Sequence, residues 1–192
     1  MACTVYAKAV THEVLIREGE PHTSLAPMGL QGGACASANL EPTSEDLEQV
    51  RAATLCLVNQ ERALHGERPL HPNRSLAQAA QRHTQEMISQ DYFEHVGPHG
   101  DTPLSRIQAS GYIYSSRLGF EIGENIGWGT LELATPLAVV EAWIASPPHL
   151  ANILNPHYRD TAIGLISQVP SSLAEGQPGA TYTEDFGVLI SG

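Results

Sequence analysis

His149 lies where a histidine could do chemistry, because the residues before it are typical of a helix start. Ser146 is expected to accept backbone N–H bonds as the N-cap, and Pro147 suits the first turn. Unpaired N–H groups and the helix dipole make that turn locally positive. Such an environment favours the neutral imidazole, which can ligate a metal or accept a proton. The alternative is a histidine with a purely structural role.

Three more side chains that could take part in chemistry lie in other segments. His95 follows the aromatic residues of the stretch 91–94, and Glu124 is placed between apolar neighbours in the glycine-bounded stretch 123–129. Both are presented at element boundaries, where binding and catalytic sites are commonly built. His83 lies within an apolar helical stripe, where we interpret it as a core histidine bonded to a carbonyl.

Helices and strands must position these side chains. Apolar residues at helical spacing predict a helix over 47–65, a second from Asn73 or Ser75 to beyond Met87, and a short third over 103–110. Thr135 and Pro136 predict the start of a fourth helix, which ends at Ser146. The stretches 162–166 and 182–189 read as strands, separated by a polar loop over 170–180.

Composition and charge exclude several classes of partner. The 192 residues include 21 acidic and 10 basic side chains, which give a formal net charge of −11. Such a surface repels phosphate backbones and anionic membranes, so we expect no nucleic acid partner. A hydrophobic content of 42% is normal for a packed domain, and no apolar run approaches the ~20 residues of a membrane span.

The first 41 residues differ from the rest. They contain scattered glycines and prolines without a helical pattern, so we predict an N-terminal arm over residues 1–41 that is poorly ordered or loosely attached. Within it, residues 5–16 alternate weakly and could form a short strand. A basic segment followed by a continuous apolar core is missing, so the sequence predicts no clear signal peptide. Residues 42–192 form the predicted domain.

Three cysteines bear on the compartment. Cys35 lies in a small-residue stretch just before the helix that contains Cys56, and a bridge between them would close a loop of about twenty residues. In the alternative, both are reduced and Cys56 is a small buried apolar residue. We predict the bridge, with Cys3 left free.

Six short motifs in a fixed order carry a family resemblance. They are Leu57-Val58-Asn59-Gln60-Glu61-Arg62, Phe93-Glu94-His95, Gly123-Glu124-Asn125-Ile126, Trp143 through Leu154, Ile163-Gly164, and Tyr182 through Gly187. The set resembles the CAP superfamily (cysteine-rich secretory proteins, antigen 5 and pathogenesis-related proteins), in particular its bacterial extracellular SCP-like branch. The resemblance implies an α+β fold, a three-layer α-β-α sandwich with a small central antiparallel sheet. The pairing of Cys35 with Cys56 also resembles bacterial members.

The resemblance further implies a surface cleft. In the family the cleft holds two histidines and two acidic residues, which in some members bind a divalent metal. Carried over by motif, they are His95, Glu124 and His149, whereas the fourth position is Ser146. Two imidazoles and one carboxylate are a plausible zinc set with one open position, so we predict weakly bound Zn²⁺.

The sequence favours a binding protein over an enzyme. G-x-S-x-G and H-E-x-x-H motifs are absent from it. We therefore predict a secreted or envelope-associated monomer that binds an extracellular ligand, for which the resemblance suggests a lipid, a sterol or an envelope component. The alternative is a metal-dependent extracellular hydrolase, because Glu124 could orient either histidine for acid–base chemistry. A third interpretation is a polar cluster with a purely structural role.

Overall fold

A five-stranded sheet forms the middle of the structure, a computed structural model that describes residues 6–14 and 35–190. The strands are β1 (Tyr6–Val14), β2 (His71–Pro72), β3 (Gly119–Thr130), β4 (Asp160–Ile166) and β5 (Gly179–Ile190). Their order across the sheet is β1-β3-β5-β4-β2. All neighbouring pairs are antiparallel except the short β2–β4 pair, which is parallel.

Helices cover both faces of this sheet. They are α1 (Leu47–Leu64), α2 (Arg74–Ser89), α3 (Pro103–Ala109), α4 (Pro136–Ile144), α5 (Pro147–Ile153) and α6 (Ser171–Ala174). One apolar core joins α1, α4 and α5 to one face, and a smaller one joins α2 and α3 to the other. The predicted α-β-α sandwich is confirmed. No helix in the described part of the chain is long and apolar enough to span a bilayer.

The sequence predicted the positions of these helix starts correctly, but it did not predict every capping hydrogen bond correctly. Asn73 caps α2 by accepting from the backbone N–H of Ser75 and Leu76, as predicted. Ser146 is the N-cap of α5, but its side chain makes no capping hydrogen bond, so that prediction was wrong. A contributing reason is that Pro148, at the second helical position, has no N–H and so removes one of the two usual donors to a capping side chain.

Strand β3 was not predicted, and it fixes which residues share a face of the sheet. In its register with β5, Glu124 pairs with Asp185, and Asn125 pairs with Glu184. Side chains alternate along a strand, so the first pair points to one face and the second to the other. The face of Glu124 is the one covered by α2 and α3, because its neighbour Ile122 packs in their core. The opposite face is covered by α1, α4 and α5.

The predicted disulfide between Cys35 and Cys56 is present, with the two Cα atoms 5.8 Å apart. It ties the segment before α1 to that helix, and its loop length is one for which a disulfide stabilises by about 3 kcal/mol. Cys3 lies outside the described residues. Within the N-terminal arm, the predicted strand is confirmed as β1 at the edge of the sheet. The domain boundary at residue 41 stays a prediction.

Candidate functional site

Glu124 is the centre of the candidate site and is fully buried. Its Oε1 lies 2.7 Å from Nδ1 of His95, and its Oε2 accepts a hydrogen bond of 2.8 Å from Nη2 of Arg106. Because a carboxylate is an acceptor, the contact with Oε1 assigns the proton of the neutral His95 ring to Nδ1. The two predicted site residues His95 and Glu124 are therefore brought together, with Arg106 as an additional member.

Arg106 reaches Glu124 from α3 and also holds the loop that carries His95. Nη1 donates to the Asp101 carbonyl and Nη2 to the His95 carbonyl, both at 2.9 Å. The helix itself begins with a capping box, in which Thr102 and Ser105 satisfy each other's backbone N–H groups. One buried guanidinium thus fixes the loop, the helix and the carboxylate relative to each other.

His83 is a further member of this cluster, contributed by α2. Its Nε2 lies 3.8 Å from Glu124 Oε1, and its Nδ1 lies 3.5 Å from the Tyr92 hydroxyl. The contacts described for the ring are to side chains, not to the carbonyl expected from the sequence. Burial lowers the pKa of His83 to about 4 against the opposing charge of Glu124, so the ring is neutral at neutral pH.

Asp185 places a second buried carboxyl group beside Glu124. The two residues are directly paired across β3 and β5 and share one face. Burial, followed by the negative charge of Glu124, raises the pKa of Asp185 well above its usual range. Burial also acts to raise the pKa of Glu124, but the His95 hydrogen bond and the nearby positive charges hold it at about 2. Burial thus favours the neutral form of Asp185, whereas Glu124 is the carboxylate at neutral pH.

His149, the third predicted site residue, occupies the first turn of α5. Its carbonyl accepts a hydrogen bond of 3.2 Å from the Asn125 amide, whose side chain points away from the Glu124 face. The Asn152 amide donates to the Glu124 carbonyl and to Asn125 Oδ1. The backbone of His149 therefore packs on the face of the sheet opposite to the Glu124 carboxylate.

The arrangement does not fit the expected zinc set. Among the described residues, no three His, Cys, Asp or Glu side chains are close enough together to hold a metal ion. The Glu124 carboxylate already faces Arg106 on one oxygen and His95 on the other. A divalent cation at this carboxylate would meet the guanidinium charge at close range. Zinc ligation by His95, Glu124 and His149 stays a prediction of the sequence.

What the site offers chemically is an oriented imidazole near the surface. The side chain of His95 is 14% exposed, whereas that of Glu124 is inaccessible. With Nδ1 held by the carboxylate, Nε2 carries the lone pair of the ring; it is buried and has no hydrogen-bond partner within the described structure. It can accept a hydrogen bond or a proton from a ligand group that gains access to it. Sequence reasoning missed Arg106 and Asp185, which reach Glu124 only through helix packing and strand register.

The fold and the site together define a class, an α-β-α sandwich with a buried Glu–Arg–His cluster beneath one side of its sheet. Residues 55–170 match the Cysteine-rich secretory protein family, CAP, and the chain belongs to that family. It is 31% identical over 130 residues to the uncharacterized protein YkwD of Bacillus subtilis. That match covers 68% of this chain and 44% of YkwD, so the chain spans less than half the length of its relative.

Solved structures show the same fold at low identity. An extracellular protein with an SCP domain from Bacillus anthracis is 21% identical with a TM-score of 0.54, over 79% of this chain and 44% of that protein. An outer surface protein of Borrelia burgdorferi is 18% identical with a TM-score of 0.56, over 76% and 94% of the two chains. Both are named for a location outside the cell or at its surface.

Proposed function

We propose that this chain is a secreted binding module that recognises a polar component of the bacterial cell envelope through the rim of its His95 cluster. The observation that carries the proposal is the contact between Glu124 and His95 Nδ1, because it orients the ring, and Nε2, a buried atom without a hydrogen-bond partner in the described structure, is left as the acceptor for a ligand group that gains access to it. Burial of Glu124 and Arg106 makes this orientation a property of the fold. A preorganised polar group of this kind gives affinity without an ordering cost at binding.

A polar ligand suits the cluster better than a lipid or a sterol. The side chains that surround His95 on the inner side are ionised or hydrogen-bonding groups, namely Glu124, Arg106 and His83. Apolar ligands are held mainly by apolar walls, with few polar groups for orientation. Lipids and sterols are therefore the competing ligands in the binding experiment described below.

Secretion is supported by two independent features. The Cys35–Cys56 disulfide is typical of proteins that fold in an oxidising compartment. Two relatives of the same fold carry extracellular or outer-surface names. Proteolytic shaving of intact cells that express the chain, followed by immunoblotting, tests this location.

Sedimentation with defined envelope material tests the binding function. The probes are purified bacterial peptidoglycan, phosphatidylglycerol vesicles, and the same vesicles with added sterol. We expect saturable binding to peptidoglycan, weakened about tenfold by His95→Ala, since one lost hydrogen bond to a charged or strongly polar group has that effect. His157→Ala is the matched control, because His157 pairs with Glu121 at the surface, with its side chain 63% exposed.

Two results would contradict the proposal. One is equal binding of wild type and His95→Ala to peptidoglycan. The other is binding that occurs with vesicles alone, which would place a lipid or sterol in the role of the ligand. Circular dichroism of each variant separates loss of binding from loss of the fold.

An extracellular hydrolase is the second candidate, and the same His95 contact favours it. A carboxylate that holds Nδ1–H makes Nε2 of the imidazole a general base toward a water molecule that reaches this buried atom. A hydrolase screen with peptide, ester and glycoside substrates tests this function. Activity that falls by ~100-fold or more in His95→Ala, and not in His157→Ala, would support it. Activity that His95→Ala leaves intact would assign the reaction elsewhere.

A further inference from the structure

A surface pocket between α2 and α3 has a charge pattern that the His95 cluster does not use. Its volume is about 320 Å³, at the small end of the range for ligand sites. The wall from α2 contributes Arg82, Glu86 and Ser89, and the other wall contributes Asp101 and Arg106. Neither His95 nor His149 lines it, and of the His95 cluster only Arg106 reaches its wall, so it is a neighbouring site that shares one residue with the one already described.

Two of its charged groups, Glu86 and Arg106, are already hydrogen-bonded or ion-paired to other groups of the protein. The Glu86 carboxylate accepts a hydrogen bond of 2.9 Å from the Tyr92 hydroxyl and another of 3.2 Å from the Gln90 amide. Arg106 is paired with Glu124, although its Nε has no hydrogen-bond partner among the described residues and its side chain is only 3% exposed. These groups form the fixed inner part of the pocket.

The other two charged groups are exposed and have no partner in the described structure. The guanidinium of Arg82 makes no ion pair or hydrogen bond there. The carboxylate of Asp101 likewise has none, and only its backbone carbonyl is engaged, by Arg106 and by the N–H of Gly97. A positive and a negative group are thus left available at the rim of one small pocket.

The two available charges indicate which kind of ligand the pocket can bind. A simple anion would be attracted by Arg82 and repelled by the two carboxylates, and a simple cation would meet the two guanidiniums. A molecule that carries both charges can pair with Arg82 and Asp101 at the same time. We propose that this pocket binds the zwitterion of an amino acid or a short peptide, with its carboxylate on Arg82 and its ammonium on Asp101.

Size and lining agree with such an occupant. The remaining wall residues are Gln85, Ser105 and Ala109, which offer hydrogen bonds and a small apolar contact without filling the space. Seven of the eight lining residues carry a polar or charged group.

NMR titration of ¹⁵N-labelled protein with the dipeptide alanyl-alanine tests the proposal. We expect saturable shifts of the Gln85, Ser89 and Ser105 amides. Acetylation of the amino end or amidation of the carboxyl end should each raise the Kd about tenfold, because each removes one charged hydrogen bond. Arg82→Gln should raise the Kd of the free dipeptide about tenfold and leave the Kd of the carboxyl-amidated dipeptide unchanged. Asp101→Asn should likewise raise the Kd of the free dipeptide about tenfold and leave the Kd of the amino-acetylated dipeptide unchanged.

Two controls fix the interpretation. Arg74→Gln removes an exposed arginine at the start of α2 that does not line the pocket, and it should leave the Kd unchanged. His95→Ala, which tests the proposed function, should also leave dipeptide binding unchanged, so that the two proposals can fail separately. Absence of saturable shifts, equal binding of the blocked dipeptides, or equal binding by Arg82→Gln and wild type would each overturn the zwitterion site.

Discussion

Glu124 connects the buried and exposed parts of the site at the scale of single residues. Its two oxygens divide their contacts between His95, which reaches the surface, and Arg106, which is buried. Without Glu124, the buried guanidinium of Arg106 would lack a counter-charge, and the imidazole of His95 would lack a fixed orientation. The carboxylate supplies both, so its charge matters for stability as well as for binding.

Glu124→Gln should therefore destabilise the fold strongly. The substitution keeps the shape but removes the charge beside Arg106, and the amide places a donor or a neutral oxygen against the guanidinium. Breaking a buried pair in this way costs about 3–5 kcal/mol. Urea unfolding followed by fluorescence measures the loss, and Glu121→Gln, at the surface pair with His157, should cost less than about 1 kcal/mol. Equal losses would mean that the Arg106 contact is energetically neutral.

Zinc titration tests the metal prediction at the same scale. Since the described residues assemble no three-ligand group, we expect calorimetry to give the same weak affinity for wild type and His149→Ala. Loss of zinc binding in His149→Ala would instead mean that His149 joins His95 and Glu124 in solution. His157→Ala controls for binding by a surface histidine.

The sequence could identify His95 and Glu124 but not the rest of their surroundings. Both lie in short motifs that the family resemblance covers. Arg106 and Asp185, in contrast, become neighbours of Glu124 through the packing of α3 and the register of β5. His83 was assigned to the core correctly, yet periodicity alone could not show that its neighbour is a carboxylate.

At the scale of elements, glycines explain both how the sandwich closes and why β3 was missed. A glycine-rich stretch argues against a strand on propensity. In β3, however, the absent side chains make room for what packs against the sheet. A Cβ at Gly127 would lie 3.0 Å from the Trp143 ring nitrogen, and one at Gly123 would lie 2.6 Å from the Tyr158 hydroxyl. Close helix approach therefore outweighs strand propensity, and single-sequence patterns do not reveal such approach.

Gly164→Ala tests this packing on the other face of the sheet. A Cβ at this position would lie 2.3 Å from the backbone carbon and oxygen of Ala80, so α2 would have to move away from β4. We expect a loss of about 3 kcal/mol, the upper end of overpacking costs. Gly119→Ala is the matched control, because its Cβ would meet Ile190 at an ordinary 3.4 Å. Thermal unfolding compares the two, and similar melting temperatures would show that α2 adjusts freely.

At the scale of the whole molecule, buried acids on both faces of the sheet couple stability to pH. On the face opposite to Glu124, the fully buried Glu184 accepts a hydrogen bond of 3.0 Å from Thr161. Burial raises the pKa of Glu184 to about 8, against the opposing effects of Thr161 and the Arg62 charge. A highly acidic chain thus holds neutral carboxyl groups inside, where ionisation would leave an unbalanced charge.

The unfolded protein releases the Glu184 proton near pH 4.5, whereas the folded protein keeps it to about pH 8. Between these values the unfolded state binds fewer protons, so this group's stabilisation is complete below the unfolded pKa and is lost as pH rises. The loss is about 1.4 kcal/mol per pH unit. His83 acts mainly on the acid side, since its pKa of about 4 lies below the ordinary histidine value of 6.5. From pH 6.5 to 8 the His83 contribution is the same in wild type and in a Glu184 variant, so the difference between their slopes isolates Glu184.

Glu184→Gln should flatten the decline of stability over that range, because a glutamine has no proton to lose. Urea unfolding at pH 6.5, 7.2 and 8 should give a slope smaller than that of wild type by about 1 kcal/mol per pH unit on average, because the folded Glu184 is itself half ionised at about pH 8. Glu141→Gln makes the same substitution at an exposed position of α4 and should leave the wild-type slope unchanged. Parallel slopes for Glu184→Gln and wild type would mean that Glu184 is ionised in the folded protein, with Arg62 as its counter-charge. A flatter slope in Glu184→Gln alone would assign the pH dependence to burial on this face of the sheet.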